Sequence, residues 1–292
     1  MGKVEAWQLA QRQALPLEIK VGMTQNRIRS YYERFSGDVA VSFSGGKDST
    51  VLLHIARGLY PNIKAVFVDT GLEFPEIRSF VKDTRDVETI RPKMSFKEVI
   101  EKYGFPLISK ENAQKIHELR TTKSDKLMDI RLYGKGDKKA GMLPAKWRYL
   151  CAAPFNISHK CCDVLKKRPS RIIEKKYAII TGEMAVDSSL RKTDYLRHGC
   201  MAFEGNIFCK PMAFWTEKDI WDYINTWSVP YSLIYKMGYP RTGCMFCMFG
   251  IHLEGTPNRF QRMKQTHPKQ WDFCINKLNL KEPLEYIGVK YV

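Results

Sequence analysis

The sequence predicts an α/β protein built on a doubly wound parallel sheet. Three observations carry that prediction. Short apolar runs at 38–43, 63–71, 87–92 and 176–184 have the length and β-branched content of buried strands. Stretches of helical periodicity separate them, as crossover helices separate parallel strands. Turn chemistry stands at the junctions, with neither internal repeats nor low-complexity segments.

Residues 5–35 read as a helix in two pieces. Trp7, Ala10, Ala14 and Leu17 recur at helical spacing and Pro16 interrupts them; Ile28, Tyr32 and Phe35 mark the second piece. A strand at 38–43 runs into a helix at 48–59. The run IKAVFVDTG (63–71) is a second strand and PEIRSFVKDTRD (75–86) a helix. VETIRP (87–92) is a third strand, and SFKEVIEKYG (95–104) a helix closed by its glycine. One helix is expected at 110–130, followed by a basic loop, and another over FNISHKCCDVLKK (155–167). KYAIITGEM (176–184) supplies the fourth strand. TEKDIWDYINTW (216–227) has a threonine cap and Ile220, Ile224 and Trp227 on one face. After Pro230 tyrosine, glycine, proline and cysteine crowd 231–250. The organisation expected is an N-terminal helical extension (1–37), a nucleotide-binding domain (38–230) and a cysteine-bearing C-terminal segment (231–292) packed on it.

The 292 residues suffice for one large domain or a domain with an appendage. The longest apolar runs are far too short to span a bilayer, and MGKVEAWQLAQRQ lacks the apolar stretch of a signal peptide, so a cytoplasmic protein is expected. The net charge of +17 favours an anionic partner such as a nucleotide, a nucleic acid or an acidic protein. Basic residues gather in 135–148 and 166–171, either as a solvated face or as a polyanion-binding surface. Eight cysteines in such a protein are not read as disulfides.

The informative corner is VAVSFSGGKDSTVLLHIA (39–56), where a strand ends in glycines and a helix begins. Glycines let the backbone approach an oxyanion, successive amides point inward, and the helix adds its positive end. Lys47 adds a full charge, and Ser44 and Ser49 add hydroxyls. The physical reading is phosphate binding. The spacing is not that of a Walker A loop.

The segment Ser44, Gly45, Gly46, Lys47, Asp48, Ser49 resembles the PP-loop of the ATP pyrophosphatase superfamily, whose members cleave ATP between the α and β phosphates. FVDTGLEFPEIRSF (67–80) resembles the second signature of the branch holding phosphoadenosine-phosphosulfate (PAPS) reductases and the catalytic subunit of ATP sulfurylase. TGEMAVDSSLRKTDY (181–195) is similar to a later loop of that branch, and PMAFWTEKDIWDYI (211–224) and PYSLIYKMGYPRTGC (230–244) match it as well. The resemblance covers most of 38–250 and is weak in 105–150 and at both ends. It implies a Rossmann-like sheet of the adenine nucleotide alpha hydrolase kind. It implies that Asp69 lies near the nucleotide, placing magnesium or ribose, and that Gly182, Asp187, Ser188 and Arg191 line the site, with Arg191 on the α-phosphate. Met184 stands where the branch usually has an arginine. Asp69 as a plain helix cap and Arg191 as a surface charge are the bland readings; Trp215, Trp221 and Tyr223 are expected to be scaffold.

Cys161 and Cys162 are adjacent, and Cys244 and Cys247 form a CxxC about eighty residues later. The combination resembles the [4Fe–4S] motif of assimilatory sulfonucleotide reductases, and four thiolates are what a cubane needs. Zinc is the second option; an adjacent pair is awkward for one tetrahedral ion. Cys151, Cys200, Cys209 and Cys274 read as ordinary apolar residues, and the histidines have no partner in sequence.

Two departures separate the chain from those reductases. They carry a nucleophilic cysteine near the C-terminus, whereas this sequence closes on EYIGVKYV. Their loop also lacks the GKD combination, and a lysine beside the phosphates is useful when β and γ phosphates are present. The expected function is therefore ATP-dependent adenylylation of an acceptor, with Lys47, Asp48 and Asp69 as catalytic groups. Sulfur transfer follows, with Mg2+ and a [4Fe–4S] cluster as cofactors. A nucleic acid is one candidate acceptor and a cysteine desulfurase one candidate sulfur donor. The alternatives are an APS or PAPS reductase that makes sulfite, and a non-catalytic, nucleotide-gated iron–sulfur protein that binds nucleic acid.

Overall fold

A computed structural model describes residues 4–292. They contain eight strands: β1 Val39–Ser42, β2 Lys64–Val68, β3 Val87–Ile90, β4 Leu107–Ile108, β5 Ala178–Ile180, β6 Met201–Ala202, β7 Phe208–Cys209 and β8 Met248–Phe249. The chain forms two compact units. One runs through Asp69 and adds Phe74–Ile90 and Pro169–Thr242. The other comprises Thr70–Glu73, Arg91–Arg168 and Gly243–Val292.

The first unit holds a six-stranded sheet in the order β3-β2-β1-β5-β7-β6. Its pairs are parallel except β6 with β7, which closes the edge as an antiparallel ribbon. This is the predicted α/β class with a mostly parallel sheet. Ala40 and Val66 on neighbouring strands pack with Ile173 on one face of the sheet. The strand order reverses at β1, whose C-terminal end is therefore a topological switch point, the place where open α/β sheets bind ligands.

The N-terminal residues form helices Ala6–Gln13 and Leu17–Arg34, with Pro16 capping the second. Lys20, buried in that helix, donates to both oxygens of Asp219 at 2.8 and 2.7 Å. Asp219 also accepts from Thr216 in the capping box that starts helix Glu217–Thr226. One carboxylate thus starts a helix and neutralises a buried cation, tying sequence-distant helices together within the unit. Trp215 and Tyr223 are buried; the indole N–H of Trp215 donates to Thr24 Oγ1 at 3.0 Å.

In the second unit β4 pairs with β8 in parallel, Leu107 opposite Met248. Two helical expectations are corrected here. The helix expected at 110–130 is two helices, Lys110–Thr121 and Asp125–Tyr133, because Ser124 turns its hydroxyl onto the amide of Leu127 and starts a new helix. The helix expected at 155–167 does not begin at Phe155. Phe105 and Ile157 form a parallel bridge instead, and Ser158 Oγ accepts from the amide of Lys160. The π-helical turn Asp163–Lys167 then leads into helix Arg168–Ile173. Pro169 lacks the amide that would close an α turn onto Leu165, and the wider turn sits where that bond is lost. Among the described residues no helix is long and apolar enough to cross a membrane.

Candidate functional site

The loop leaving β1 and the loop leaving β5 border a polar cavity of about 350 Å³ in the first unit. Ser42, Ser44, Gly46, Lys47, Asp48 and Ser49 come from the first; Thr181, Gly182, Glu183, Asp187 and Arg191 follow the second; Tyr235, Arg241 and Thr242 complete the lining. Close packing dictates the glycines. Gly45 has φ +70°, and a Cβ there would meet Val81 at 2.9 Å and Ile77 at 3.0 Å. A Cβ on Gly182 would lie 3.2 Å from the carbonyl oxygen of Asp48 and 3.3 Å from the amide of Ser49, so Gly182 lets the β5 loop reach the head of helix Lys47–Leu59.

Lys47 is 4% exposed. Its ammonium lies 3.4 Å from Asp48 and 3.3 Å from Glu217, and 5.8 Å from the centroid of the Tyr235 ring. Burial opposes its charge, but Asp48, Tyr235 and Glu217 outweigh it together and hold the lysine above its ordinary value. Asp48 is also raised, but toward its neutral form: burial raises its carboxyl, Lys47 lowers it, and Asp187 and Glu217 raise it again. Asp48 Oδ1 is buried and accepts no well-formed hydrogen bond; the Lys47 ammonium 3.4 Å away is its ion-pair partner. Asp187 sits between two guanidiniums, hydrogen-bonded to Arg191 and 3.8 Å from Arg241, and its carboxylate also accepts from the amide of Met184. Ser188 caps helix Ser189–His198 and so presents Arg191 in its first turn.

The loop amides differ from the simple picture of an open anion cradle. Ser44 N–H donates to Ser49 Oγ, Gly46 N–H to Ser44 Oγ, and Lys47 N–H to the Tyr235 hydroxyl at 2.7 Å. Each is held by a rotatable hydroxyl, which exchanges partners more readily than a backbone carbonyl. Asp69 is buried, 3.2 Å from Arg78, and is not among the residues lining the cavity; neither is Ser188. Tyr235, Arg241, Thr242 and Glu217 were not singled out from sequence. The first three lie in PYSLIYKMGYPRTGC, the stretch whose family likeness was visible without any one residue standing out.

The second unit brings the four named cysteines into one electrostatic neighbourhood. Burial pushes the Cys161 thiol far up, with Cys162, Cys244 and Cys247 adding to it. Burial drives Cys244 up to about 11, against the pull of Lys166. Cys247 is raised by burial and eased by the Phe249 backbone and by Arg259. The CxxC is a tight turn, Cys247 N–H donating to Cys244 O at 3.1 Å, and the β4–β8 pairing holds its far end. Cys161 and Cys162 lead directly into the π-helical turn, which carries Lys166. Lys166 hydrogen-bonds Cys244 and feels Glu73; burial works against its charge and these neighbours restore it. Glu73 is itself fixed by the amide and hydroxyl of Thr70 at 3.0 and 2.7 Å. Among the described residues no group of three or more His, Cys, Asp or Glu is gathered closely enough to grip one metal ion. A zinc ion needs its sulfurs about 2.3 Å from a single point, whereas a cubane takes each thiolate on a separate iron. The four-thiol set, with the half-buried Lys166 beside it, fits the cubane. All eight cysteines are free thiols, and Cys200, Cys209 and Cys274 are buried.

Residues 38–249 match the model of the phosphoadenosine phosphosulfate reductase domain. The chain belongs to this family. Among its relatives, the adenosine 5′-phosphosulfate reductase of Staphylococcus epidermidis is 23% identical over 223 residues, covering 74% of this chain and 72% of the relative. The chain spans about half the length of longer curated relatives that it also matches. The phosphoadenylyl-sulfate reductase of Candida auris, solved with phosphate, aligns at 16% identity and TM-score 0.44, over 83% of this chain and 97% of that one. The U34-tRNA thiolase of Methanococcus maripaludis, solved with its [4Fe–4S] cluster, aligns at 16% identity and TM-score 0.38, over 94% and 82%. The family match takes in the glycine corner, Arg191 and both cysteine pairs.

Proposed function

We propose that this member of the PAPS reductase domain family binds ATP at the head of helix Lys47–Leu59 and transfers AMP to an acceptor oxygen, releasing pyrophosphate. Sulfur is then passed to the activated position. The observation that carries the reading is the buried Lys47 ammonium at the switch point of the sheet, on a polar cavity shared with Arg191 and Arg241. Lys47 stays charged despite burial because carboxylates accompany it. A triphosphate can replace them with stronger, charge-assisted contacts. Ser44, Gly45, Gly46 and Ser49 bind the β and γ phosphates as the loop hydroxyls turn from the amides to the ligand. Arg191 and Arg241, held by Asp187, meet the α-phosphate. The acceptor oxygen bonds to the α-phosphorus while the bond from that phosphorus to the bridging oxygen breaks, and pyrophosphate leaves with the electron pair. Lys47 stabilises the charge that builds on it. The terminal sulfur of a persulfide on a donor such as a cysteine desulfurase then attacks the activated position, and AMP leaves with the acceptor oxygen. An external thiol reductant cleaves the S–S bond to the donor, leaving the sulfur on the acceptor and a disulfide on the donor side. Asp48 would hold magnesium, which would supply further positive charge to the leaving group. Cys161, Cys162, Cys244 and Cys247 would hold a [4Fe–4S] cluster, which would supply a place to bind or deliver sulfur.

The excess of basic residues favours a nucleic-acid acceptor. The test is anaerobic purification with iron and sulfide analysis, followed by turnover assays with ATP, APS and PAPS. Magnesium-dependent AMP and pyrophosphate from ATP in the presence of acceptor support the reading; their absence with every acceptor refutes it. The kinship with APS reductases favours a second reading, reduction of a sulfonucleotide, and sulfite released from APS or PAPS with thioredoxin present decides for it.

A further inference from the structure

The first unit contains a second cavity, of about 580 Å³, beside the last turn of helix Ser189–His198 and the β6–β7 ribbon. It shares a wall with the phosphate cavity. Lys210, which lines the second cavity, donates to Glu183 of the first at 3.0 Å and to Asp194 of its own at 2.8 Å. The same carboxylate of Glu183 lies 3.9 Å from Arg191, and Asp194 hydrogen-bonds His198 at 3.0 Å. One chain of ion pairs therefore runs from one cavity to the other. Arg191 stands at the start of the helix and Arg197 near its end, about 9 Å apart along the axis.

The lining is of three kinds. Phe203 and Phe208 are half-buried and offer ring surfaces; Phe203 is backed by Tyr31, with ring centroids 6.1 Å apart. Glu204 and Asn206, on the exposed loop of the ribbon, offer an acceptor and an amide. Arg197 is an exposed cation on the same cavity, and Lys192 on the same helix is exposed too. Ring faces, an edge able to read hydrogen bonds, and a cation are what a base and its phosphate require together. The volume lies within the range of small-ligand sites.

We propose that this cavity takes one unstacked nucleotide of a single-stranded polynucleotide, its base against Phe203 and Phe208, its edge read by Glu204 and Asn206, and its phosphate on Arg197. The inference rests on the adenylylation reading, because the shared wall then puts the acceptor beside the nucleotide that activates it. The excess of basic residues in the chain favours a polymer over a free nucleotide.

The test is fluorescence anisotropy with labelled single strands of about twelve nucleotides, as RNA and as DNA of the same sequence, with unlabelled uridine monophosphate as competitor. Arg197→Ala is expected to weaken binding about tenfold for all sequences and to lower the salt slope by about one. Asn206→Ala is expected to lose about tenfold for one base only. Binding restricted to RNA identifies an RNA acceptor, and binding restricted to DNA a DNA acceptor; both support the site. Strands that bind both variants as they bind the parent, strands that do not bind at all, or binding of the mononucleotide alone overturn it. ATP titration of the parent protein reads the adenylylation proposal separately. Flat ATP titrations with strand binding intact defeat that proposal and leave the cavity standing. ATP binding with unaltered strand affinity in Arg197→Ala defeats only the cavity.

Discussion

Replacing Lys47 by methionine keeps the length of the side chain and removes its charge. At 3.3–3.4 Å and an effective dielectric of ~20, each of its carboxylate contacts is worth about 5 kcal/mol before desolvation and screening. Glu217 is half exposed, so its share is small. Asp48 is more enclosed, and a net stability loss of about 1–2 kcal/mol at pH 7 follows. The loss depends on pH. The folded-state carboxyl of Asp48 is already raised by burial, and removing Lys47 takes away the main force that lowers it. A carboxyl raised in the folded state favours folding at low pH and loses that contribution as pH rises through its folded value. The deficit of Lys47→Met should therefore be largest at pH 7 and close as pH falls toward the ordinary aspartate value of 3.8. Urea unfolding across that range measures it. The functional loss is larger. A charge-assisted contact to phosphate is worth about 1.5–3 kcal/mol, or about 10- to 150-fold in Kd. Isothermal titration with ATP and magnesium reads this directly. ATP binding by Lys47→Met equal to that of the parent, in a folded protein, would refute the phosphate site.

Gly182→Ala places a methyl 3.2–3.3 Å from backbone atoms that cannot rotate away, so it should cost about 1–3 kcal/mol by urea unfolding and weaken ATP binding as the helix head shifts. Arg241→Ala should weaken ATP by about tenfold, with less effect in an Arg191→Ala background, because both guanidiniums hang on Asp187; equal affinities in titration would remove Arg241 from the site. Cys244→Ser should lower iron and sulfide per chain and bleach the visible absorbance after anaerobic purification, while Cys151→Ser leaves both unchanged.

Much of the fold was legible because its causes are local. Apolar runs of strand length, proline and serine at helix starts, and glycine at helix ends act within a few residues, and they marked β1, β2, β3, β5 and the helices between them. The two-residue strands β4, β6, β7 and β8 are too short to impress any periodicity on the chain. The break after Thr121 depends on one serine hydroxyl choosing an amide.

What the sequence alone determined was the chemistry on offer: a glycine corner with a lysine, a lysine-rich chain, and two cysteine pairs. The tertiary structure decided which groups meet it. Tyr235 reaches the amide of Lys47 from 188 residues away, Asp187 holds Arg191 and Arg241 together, and Asp69 pairs with Arg78. Electrostatic and hydrogen-bond partners act over a few ångströms of space, whatever their separation along the chain, so only the packed structure shows which charge each buried group answers to.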